Sequence, residues 1–363
     1  PDDAITLDDV SNAFGGTVTF ATDSGSAVSI VDTTALDLKA LSVASLSATS
    51  GGEVTDSGTL SINGATTISS SGLNITLDQA ASSFGTLELT GADVAVTENA
   101  ATDLGASTVS GTLAITSTGA VTDSGTLTIS GATTISASGQ DITLGEAAST
   151  FGTLALTGAN VAVTDAGAVD LGASTVSGTL GVTSAGAVTD SGLLAITGAT
   201  TINASGQAVS LTNEASTFGY FTVIAEDVYI VESGVFTSTN LTAETVQVSA
   251  TEGVSVVSTG DGLQLAAQSG TGNIDVVNTG GLVISELTNI QGIQFTDADA
   301  TGTVSLVAKS PLTINAAIDA KAGEVLLVAA GSDITDDVTI NSNVVGASVD
   351  VYAGDSIAVT SDA

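Results

Sequence analysis

Short segments in which apolar and polar residues alternate follow one another along almost the whole chain. Four examples in the most regular part lie at 60–62, 74–77, 87–89 and 94–96. Alternation with a period of two places successive side chains on opposite faces of a strand. Gly, Asn, Asp and Ser separate the segments, and these residues suit tight turns. Because no apolar spacing of three and four is sustained, the pattern predicts an all-β chain of short strands.

A long internal repeat organises these strands. The stretch 54–120 returns almost unchanged as 121–187 and starts a third time at Val188. The motif Val-Thr-Asp-Ser-Gly marks each start, and it recurs every 67 residues, ending at Gly58, Gly125 and Gly192. Since one solenoid coil is shorter than this, we expect about three coils of roughly 22 residues per repeat. The repeat predicts a parallel β-helix (β-solenoid), whereas hairpins at the turns would give antiparallel meanders instead.

The regularity of the repeat changes along the chain and predicts three sections of one solenoid. Residues 1–53 carry the first coils, because Ile5-Thr6-Leu7 with Phe14 echoes a later copy at a slightly longer spacing. Residues 54–219 hold the regular 67-residue repeats. Residues 220–363 lose the repeat identity but keep strands and turns, which predicts diverged coils. The chain starts in the middle of the pattern, and we expect the native protein to continue N-terminally.

The composition indicates which side chains form the core and in which compartment the protein functions. Hydrophobic residues make up 43% of the 363 residues, but only 3% are aromatic, so small aliphatic side chains must form the core. No apolar run approaches the roughly 20 residues of a membrane helix, and we expect no membrane insertion. The chain has no Cys, so disulfides and thiolate metal sites do not hold the fold. This usage suits a secreted protein.

The charge is strongly negative and restricts the partners. There are 39 acidic residues against three basic ones and a net charge of −36. Binding to nucleic-acid phosphates needs clustered Lys and Arg, so we expect no nucleic acid partner. An anionic membrane surface is disfavoured for the same reason. High negative charge favours solubility.

The repeat strings themselves resemble a known family. The run 103–113 reads DLGASTVSGTL and is followed at 119–125 by GAVTDSG. Together they look like the β-strand repeats of filamentous-haemagglutinin-like adhesins, which are bacterial surface and secreted proteins. The resemblance covers essentially the whole chain. It implies a right-handed parallel β-helix, an extracellular or cell-surface location, and a role in stalks or fibres.

Residues that could serve in catalysis are scarce in this sequence. Lyases need a base and cationic groups, and the chain offers no Arg, no His and three isolated lysines. Glycoside hydrolases need two carboxylates at a defined separation, which Asp297 with Asp299 or Asp336 with Asp337 could supply. Sugar sites of that kind also use aromatic platforms, and Trp is absent. We therefore expect no enzyme and assign no catalytic or cofactor-binding residue.

Calcium is the one cofactor that the residue types suit, because Ca²⁺ prefers carboxylate and carbonyl oxygens. The acidic residues close to one another in the diverged section make the candidate ligands: Asp297, Asp299, Asp333, Asp336 and Asp337. The nonapeptide of calcium β-rolls and the EF-hand loop are both missing. The repeated aspartates Asp56, Asp123 and Asp190 are expected to lie about 14 Å apart, too far to share an ion.

Repeated phenylalanines and repeated threonine pairs could each form a binding surface or serve a structural role. Phe84, Phe151 and Phe218 recur at the 67-residue step, and one ring per repeat favours an internal position over a sugar-binding stripe. Pairs of threonines at 66–67, 133–134 and 200–201 recur at the same step. Since they do not recur once per coil, they do not form the flat threonine lattice of an ice-binding face.

The sequence therefore predicts a structural extracellular protein, namely a β-solenoid section of a bacterial adhesin or of a self-assembling surface or matrix fibre. We expect its partners to be neighbouring coils, either of the same longer chain or of another copy joined end to end. Two alternatives stay open. One is a module that binds a glycan or a cell surface, and the other is a calcium-stiffened surface-layer component.

Overall fold

The strands form where inward and outward side chains alternate, as the sequence pattern predicts. The computed structural model describes residues 4–21, 24–70, 72–331 and 336–360, and within these ranges the chain contains strands and turns but no helix. In β-strand segments such as Leu113–Ser117, aliphatic residues at alternate positions are buried while the intervening ones are exposed. The strands fall into two compact units, Pro1–Thr179 and Leu180–Ala363.

The strands described in the first unit are β1 Ile5–Leu7, β2 Thr17–Val18, β3 Ala27–Asp32, β4 Leu36–Leu38, β5 Leu41–Val43, β6 Ser45–Ser50, β7 Val54–Asp56, β8 Leu60–Ser69, β9 Ile75–Leu77, β10 Ser83–Gly91, β11 Val94–Glu98, β12 Thr102–Leu104, β13 Ser107–Val109, β14 Leu113–Ser117, β15 Val121–Asp123, β16 Leu127–Ile129, β17 Thr133–Ser136, β18 Ile142–Leu144, β19 Thr153–Gly158, β20 Val161–Asp165, β21 Val169–Leu171 and β22 Ser174–Val176.

In the first unit the chain winds between two parallel sheets, and each coil contributes to both. One sheet runs through β8, β10, β12 and β15, and the other runs through β7, β9, β11, β14 and β17. Backbone hydrogen bonds between neighbouring coils join, for example, Val94 to Thr112 and Val54 to Asn74, which are 18 and 20 residues apart in sequence. The backbone groups of one coil are thus paired with those of the next, which makes the unit a β-solenoid.

The register refines the number of coils in a repeat to three and a half. Val54 pairs with Ile75, and the same ladder continues through Val94 to Leu113, three coils above Val54. The next residue on the ladder is Thr133. Val121, the repeat equivalent of Val54, falls between these two coils and lies in the opposite sheet. Coils are shorter than the predicted 22 residues, so equivalent residues of successive repeats alternate between the two sheets of this unit.

The strands described in the second unit are β23 Leu180–Ser184, β24 Val188–Asp190, β25 Leu194–Ile196, β26 Thr200–Asn203, β27 Ala208–Leu211, β28 Phe221–Ile224, β29 Asp227–Glu232, β30 Val235–Thr242, β31 Thr245–Ala250, β32 Gly253–Ser258, β33 Leu263–Ser269, β34 Ile274–Asn278, β35 Leu282–Ile284, β36 Ile293–Phe295, β37 Val304–Ala308, β38 Leu312–Ile314, β39 Ile318–Asp319, β40 Glu324–Ala329, β41 Val338–Ile340, β42 Val344–Val345, β43 Ser348–Ala353 and β44 Ile357–Val359.

The second unit is also a parallel β-solenoid with two sheets. One sheet stacks β30, β32, β34, β37, β40 and β43 in order. The other stacks β27, β29, β31 and β33, after which β35 and β36 share the next coil. The paired strands run parallel, so the loss of repeat identity after residue 219 leaves the winding unchanged.

Aliphatic ladders fill the space between the sheets of each unit. In the first unit one ladder consists of Leu77, Val96, Ile115, Ile135 and Leu156, all buried. In the second unit Val246, Leu265, Ile284 and Ile314 are fully buried on another. Burying one such side chain is worth about 1.5–3 kcal/mol. Small aliphatic side chains therefore form the core, as the composition predicts.

Two glycines permit neighbouring coils to approach each other closely. A Cβ on Gly152 would lie 2.3 Å from the carbonyl oxygen of Gly131 in the neighbouring coil, and Gly85 stands in the same relation to Gly64 at 2.5 Å. Both distances are well below van der Waals contact, so these positions require glycine.

The predicted all-β fold and the parallel β-solenoid are confirmed, and antiparallel meanders are wrong because neighbouring strands pair in parallel. The right-handedness implied by the resemblance stays a prediction. The division into residues 1–53, 54–219 and 220–363 describes sequence regularity and also stays a prediction.

Candidate functional site

A buried carboxylate recurs in the first unit at the end of an inward-facing strand. Glu98 ends β11 and Asp165 ends β20, and they are 1% and 3% exposed. Each accepts a hydrogen bond from the backbone N–H of the phenylalanine fourteen residues earlier. Phe84 N lies 2.7 Å from Glu98 Oε1, and Phe151 N lies 3.1 Å from Asp165 Oδ2. We call each such pair a Phe–carboxylate corner.

The second oxygen of each carboxylate also has a partner. The hydroxyl of Thr102 donates to Glu98 Oε2 at 2.8 Å, and the N–H of Gly167 donates to Asp165 Oδ1 at 2.6 Å. Buried polar groups are tolerated when they are hydrogen-bonded in this way. Each carboxylate therefore joins two turns of the chain inside the solenoid.

The second unit contains a Phe–carboxylate corner in which, within the described part of the chain, only one carboxyl oxygen is hydrogen-bonded. The N–H of Phe218 donates to Glu232 Oε1 at 3.1 Å, and Glu232 is 3% exposed. Its Oε2 is buried without a hydrogen-bond partner among the described residues. The Phe218 ring lies against Phe221, with ring centroids 4.7 Å apart. Glu232 is thus the least well compensated carboxyl of the three.

Burial controls the protonation of these carboxyls. It raises the pKa of Glu98 and of Asp165, while the hydrogen bonds from Phe84 and Phe151 act in the opposite direction. For Glu232, burial raises the pKa to about 7, against the hydrogen bond from Phe218. Desolvation penalises the charged form, and so the pKa rises. Because Glu232 is buried, a pKa near 7 makes the stability of the fold depend on pH, and the carboxyl is not accessible to a substrate.

The first coils carry a further version of the corner that the sequence reasoning missed. The N–H of Phe14 donates to Asp32 Oδ1 at 3.3 Å, and Asp32 ends β3 in a buried position. None of the four buried acids of these corners was among the candidate residues predicted from the sequence: Asp32, Glu98, Asp165 and Glu232. For three of them the available signal was an acid fourteen residues after each of Phe84, Phe151 and Phe218; Asp32 follows Phe14 by eighteen residues and lacks this signal.

The repeated turn aspartates also hold backbone groups of the adjacent coil. Asp123 accepts the N–H groups of Gly145 and Glu146, at 2.7 and 3.2 Å. Asp190 accepts those of Thr212 and Asn213, at 2.7 and 3.1 Å. These carboxylates stabilise the winding through charge-assisted hydrogen bonds. The sequence excluded these aspartates as ligands of a shared ion but did not predict this role in coil stacking.

The candidate calcium ligands lie in different local settings. Asp297 and Asp299 are exposed, and Asp297 Oδ1 accepts the N–H of Asp299 at 3.0 Å. Asp336 is buried and its Oδ2 accepts the N–H of Gly331 at 2.7 Å. Asp337 instead accepts the N–H and the hydroxyl of Ser356 in the next coil, at 3.0 and 2.6 Å.

Asp333 lies outside the described residues. Where the structure describes the chain, no three His, Cys, Asp or Glu side chains are grouped so that they could hold a metal ion. The calcium site therefore stays a prediction. The same two acidic pairs were the candidates for hydrolase carboxylates. A β-solenoid repeat fold is typical of non-enzymatic structural proteins.

The repeated phenylalanines and the first threonine of each repeated pair lie in the core. Phe84, Phe151 and Phe218 are 6–8% exposed, which confirms the predicted internal position. In the threonine pairs, the first member is buried and the second is exposed, as with Thr133 and Thr134. The buried members are Thr66, Thr133 and Thr200, and their hydroxyls have no partner among the described residues. A flat threonine face is not formed by these pairs.

Comparison with known proteins identifies the repeat but no relative of known function. A family model for "Repeats of unknown function" (DUF5649) matches three successive segments, residues 25–90, 91–157 and 158–225. No curated protein and no solved structure matches the chain. None of the described segments forms an apolar helix long enough to cross a membrane. The three matched segments cover more than half of the sequence, and the chain therefore belongs to the family of repeats of unknown function, DUF5649.

Proposed function

We propose that this chain is a structural section of a bacterial adhesin or of a surface or matrix fibre. A repeat β-solenoid fits a structural or surface protein, and the finer role is our inference. The observation that supports this role is that the repeated residues hold neighbouring turns of the chain together. Glu98, Asp165, Gly152 and Asp123 each hold one turn of the winding against another. What the repeat preserves from copy to copy is coil stacking.

Such a stack resists force through many parallel contacts. Each coil contacts only its neighbours, so stability is a sum of coil and interface contributions. Backbone hydrogen bonds, aliphatic ladders and internal carboxylates all act at those interfaces. The high negative charge keeps the outer surface soluble and suppresses unspecific association. These features support an extracellular or cell-surface location, which the resemblance to filamentous-haemagglutinin-like adhesins also favours.

The last described strands carry an exposed edge. β43 pairs with β40, and β44 pairs with β41, each on one side. Side chains that would face the core are open there, with Val349 40%, Ile357 51% and Val359 63% exposed. An exposed strand edge with apolar side chains readily pairs with another strand. We propose that a further coil covers this edge and that in the isolated chain a second copy supplies it.

End-to-end pairing between copies is a heterologous contact and generates an open filament. Electron microscopy of the purified chain at rising protein concentration tests this. Filaments of uniform width are expected. Discrete particles at every concentration would contradict the proposed pairing between copies.

The location is tested on cells that make the protein. Limited proteolysis of intact cells, followed by detection of the chain, is expected to remove it while a cytoplasmic marker survives. Calcium stiffening remains the alternative for the acidic residues. It requires that a chelator lowers the thermal midpoint strongly, because a ligand that binds the folded state stabilises it.

A further inference from the structure

One connection in the second unit is longer than its counterparts. Residues 285–292 join β35 to β36, whereas three residues join β38 to β39 and three join β41 to β42 in the following coils. The extra residues form a small hairpin with an antiparallel bridge between Glu286 and Gln291. Loops of this kind on a rigid scaffold are where binding residues concentrate. We call residues 285–292 the side loop.

The side loop is fixed against the outer face of the solenoid. The N–H groups of Asn289 and Ile290 both donate to Gln247 Oε1, at 2.8 and 3.2 Å. Gln247 lies on β31, more than forty residues earlier in the sequence. Within the loop, the N–H of Leu287 donates to the carbonyl of Ile290 at 3.0 Å, and Ile290 is buried. The loop is therefore held in one position by the sheet below it.

A groove of about 340 Å³ runs between the side loop and the sheet. Its floor consists of outward-facing residues from three neighbouring strands, β27, β29 and β31. Ser210, Tyr229 and Gln247 lie side by side at one register position. Its wall is formed by residues 287–289 of the side loop. The volume falls within the range of small-ligand sites, which begins at about 300 Å³.

The groove offers one aromatic ring surrounded by hydrogen-bonding groups. Tyr229 lies between the buried Val228 and Ile230, so its ring faces outward into the groove. Next to it, the Thr245 hydroxyl donates to Asp227 Oδ1 at 2.5 Å. While Gln247 Oε1 is bound to the loop, its amide nitrogen remains a donor that can serve a ligand. An aromatic face takes up C–H groups, and amide, carboxylate and hydroxyl groups bind hydroxyls.

The charge of the groove decides which ligand fits. Its described lining residues include Asp227 but neither Lys nor Arg. The chain as a whole carries a net charge of −36. Anionic sugars, such as uronates or sulfated glycans, would have to approach a carboxylate without any cation to bind them. A neutral sugar avoids this repulsion and can use both the ring and the polar groups.

From these contacts we infer that the groove between the side loop and strands β27, β29 and β31 binds a neutral saccharide. The ring of Tyr229 stacks on one face of the sugar. Asp227, the amide of Gln247 and residues of the side loop bind its hydroxyls. Three strands span about 10 Å, so the groove takes a short segment of a glycan. This binding goes beyond the proposed structural role, because a fibre section functions without it.

Titration of the full chain with neutral trisaccharides tests the inference. The probes are maltotriose, cellotriose, mannotriose and N-acetylchitotriose, with oligogalacturonate as the anionic comparison, and binding is followed by ligand-observed nuclear magnetic resonance. Three variants are compared with the parent. Tyr229→Ala removes the ring, Tyr229→Phe keeps it, and Tyr220→Ala removes an exposed tyrosine that does not line the groove. Circular dichroism establishes that each variant is folded.

Saturable binding of at least one neutral trisaccharide is expected. Tyr229→Ala should weaken it about tenfold or more, a loss in the range of one stacking contact, while the other two variants bind within about twofold of the parent. Hydrogen exchange should slow at residues 287–289 when the sugar is bound. The inference is overturned if no neutral probe binds saturably, if only the anionic probe binds, or if Tyr229→Ala binds as well as the parent.

Discussion

The backbone N–H of Phe151 donates a hydrogen bond of 3.1 Å to Oδ2 of Asp165, inside the core of the first unit. Asp165 also accepts the N–H of Gly167 at 2.6 Å, so one carboxylate satisfies two backbone donors. The same relationship joins Phe84 to Glu98 one repeat earlier. It links the repeated phenylalanine to the repeated acid and explains why both recur at the 67-residue step.

Removal of the Asp165 carboxylate is expected to destabilise the first unit. Asp165→Ala leaves the buried N–H of Phe151 without an acceptor, which costs about 3 kcal/mol. Asp165→Asn keeps an acceptor and should lose less. Asp141→Ala serves as the control, because Asp141 is exposed and binds Asn160 on the surface. Urea unfolding gives the stabilities, and equal losses in Asp165→Ala and Asp141→Ala would contradict the assigned role.

Glu232 is expected to make the second unit more stable in mild acid. Its folded-state pKa is raised from 4.5 to about 7, so between these values the folded chain binds more protons than the unfolded one. The stabilising contribution is therefore complete below pH 4.5 and is lost as the pH rises through 7. Glu232→Gln should gain stability relative to the parent by about 2–3 kcal/mol between pH 5 and pH 8.

The control for this pH effect is Glu244→Gln, which removes a charge at an exposed position of the same unit. Thermal midpoints are measured by calorimetry at several pH values for the parent and both variants. A constant difference between Glu232→Gln and the parent from pH 5 to pH 8 would show that Glu232 keeps an ordinary pKa.

Thr133 occupies a ladder position that an aliphatic residue would fill better. It stacks between Leu113 and Leu154, and its hydroxyl is buried without a partner among the described residues. Because an unpaired buried hydroxyl is costly, Thr133→Val should stabilise the first unit by about 1 kcal/mol. The exposed neighbour gives the matched control, Thr134→Val, with little change expected. A loss of stability in Thr133→Val would mean that the hydroxyl has a partner after all.

Substitution of Gly152 tests how closely neighbouring coils approach each other. A methyl group there would meet the carbonyl of Gly131 at 2.3 Å, so Gly152→Ala must push the coils apart. We expect a loss of about 2–3 kcal/mol, as in other overpacked sites. Gly145→Ala is the control, since a methyl group at that position would have no atom within 4 Å. If the two variants unfold at the same urea concentration, the coils are not as closely stacked as described.

Much of the fold could be predicted because it is periodic. The alternation at 74–77 predicted strand β9, and the 67-residue step indicated a solenoid. The number of coils per repeat was harder to predict. Coils vary in length, and β10 alone spans the positions that β12 and β13 share in the next coil, so no fixed spacing of landmarks marks one turn.

The internal carboxylates could not be recognised from residue type alone. An acid such as Glu98 is usually solvated, and only its position at the inward end of β11 buries it. The groove at Tyr229 was even less visible, because it joins β29 to a loop nearly sixty residues later. The side loop folds back over earlier coils and is held there by Gln247, and a single sequence carries no direct sign of that contact.

Electron microscopy of the purified chain, with and without a blocked edge, asks whether copies of the chain pair with one another through the exposed edge of β43 and β44. The blocked variant carries Ile357→Lys and Val359→Lys, two exposed positions on β44 where charge disfavours strand addition. We expect filaments of uniform width from the parent at high protein concentration and discrete particles from the variant. Discrete particles from the parent at every concentration, or identical filaments from both, would contradict this pairing.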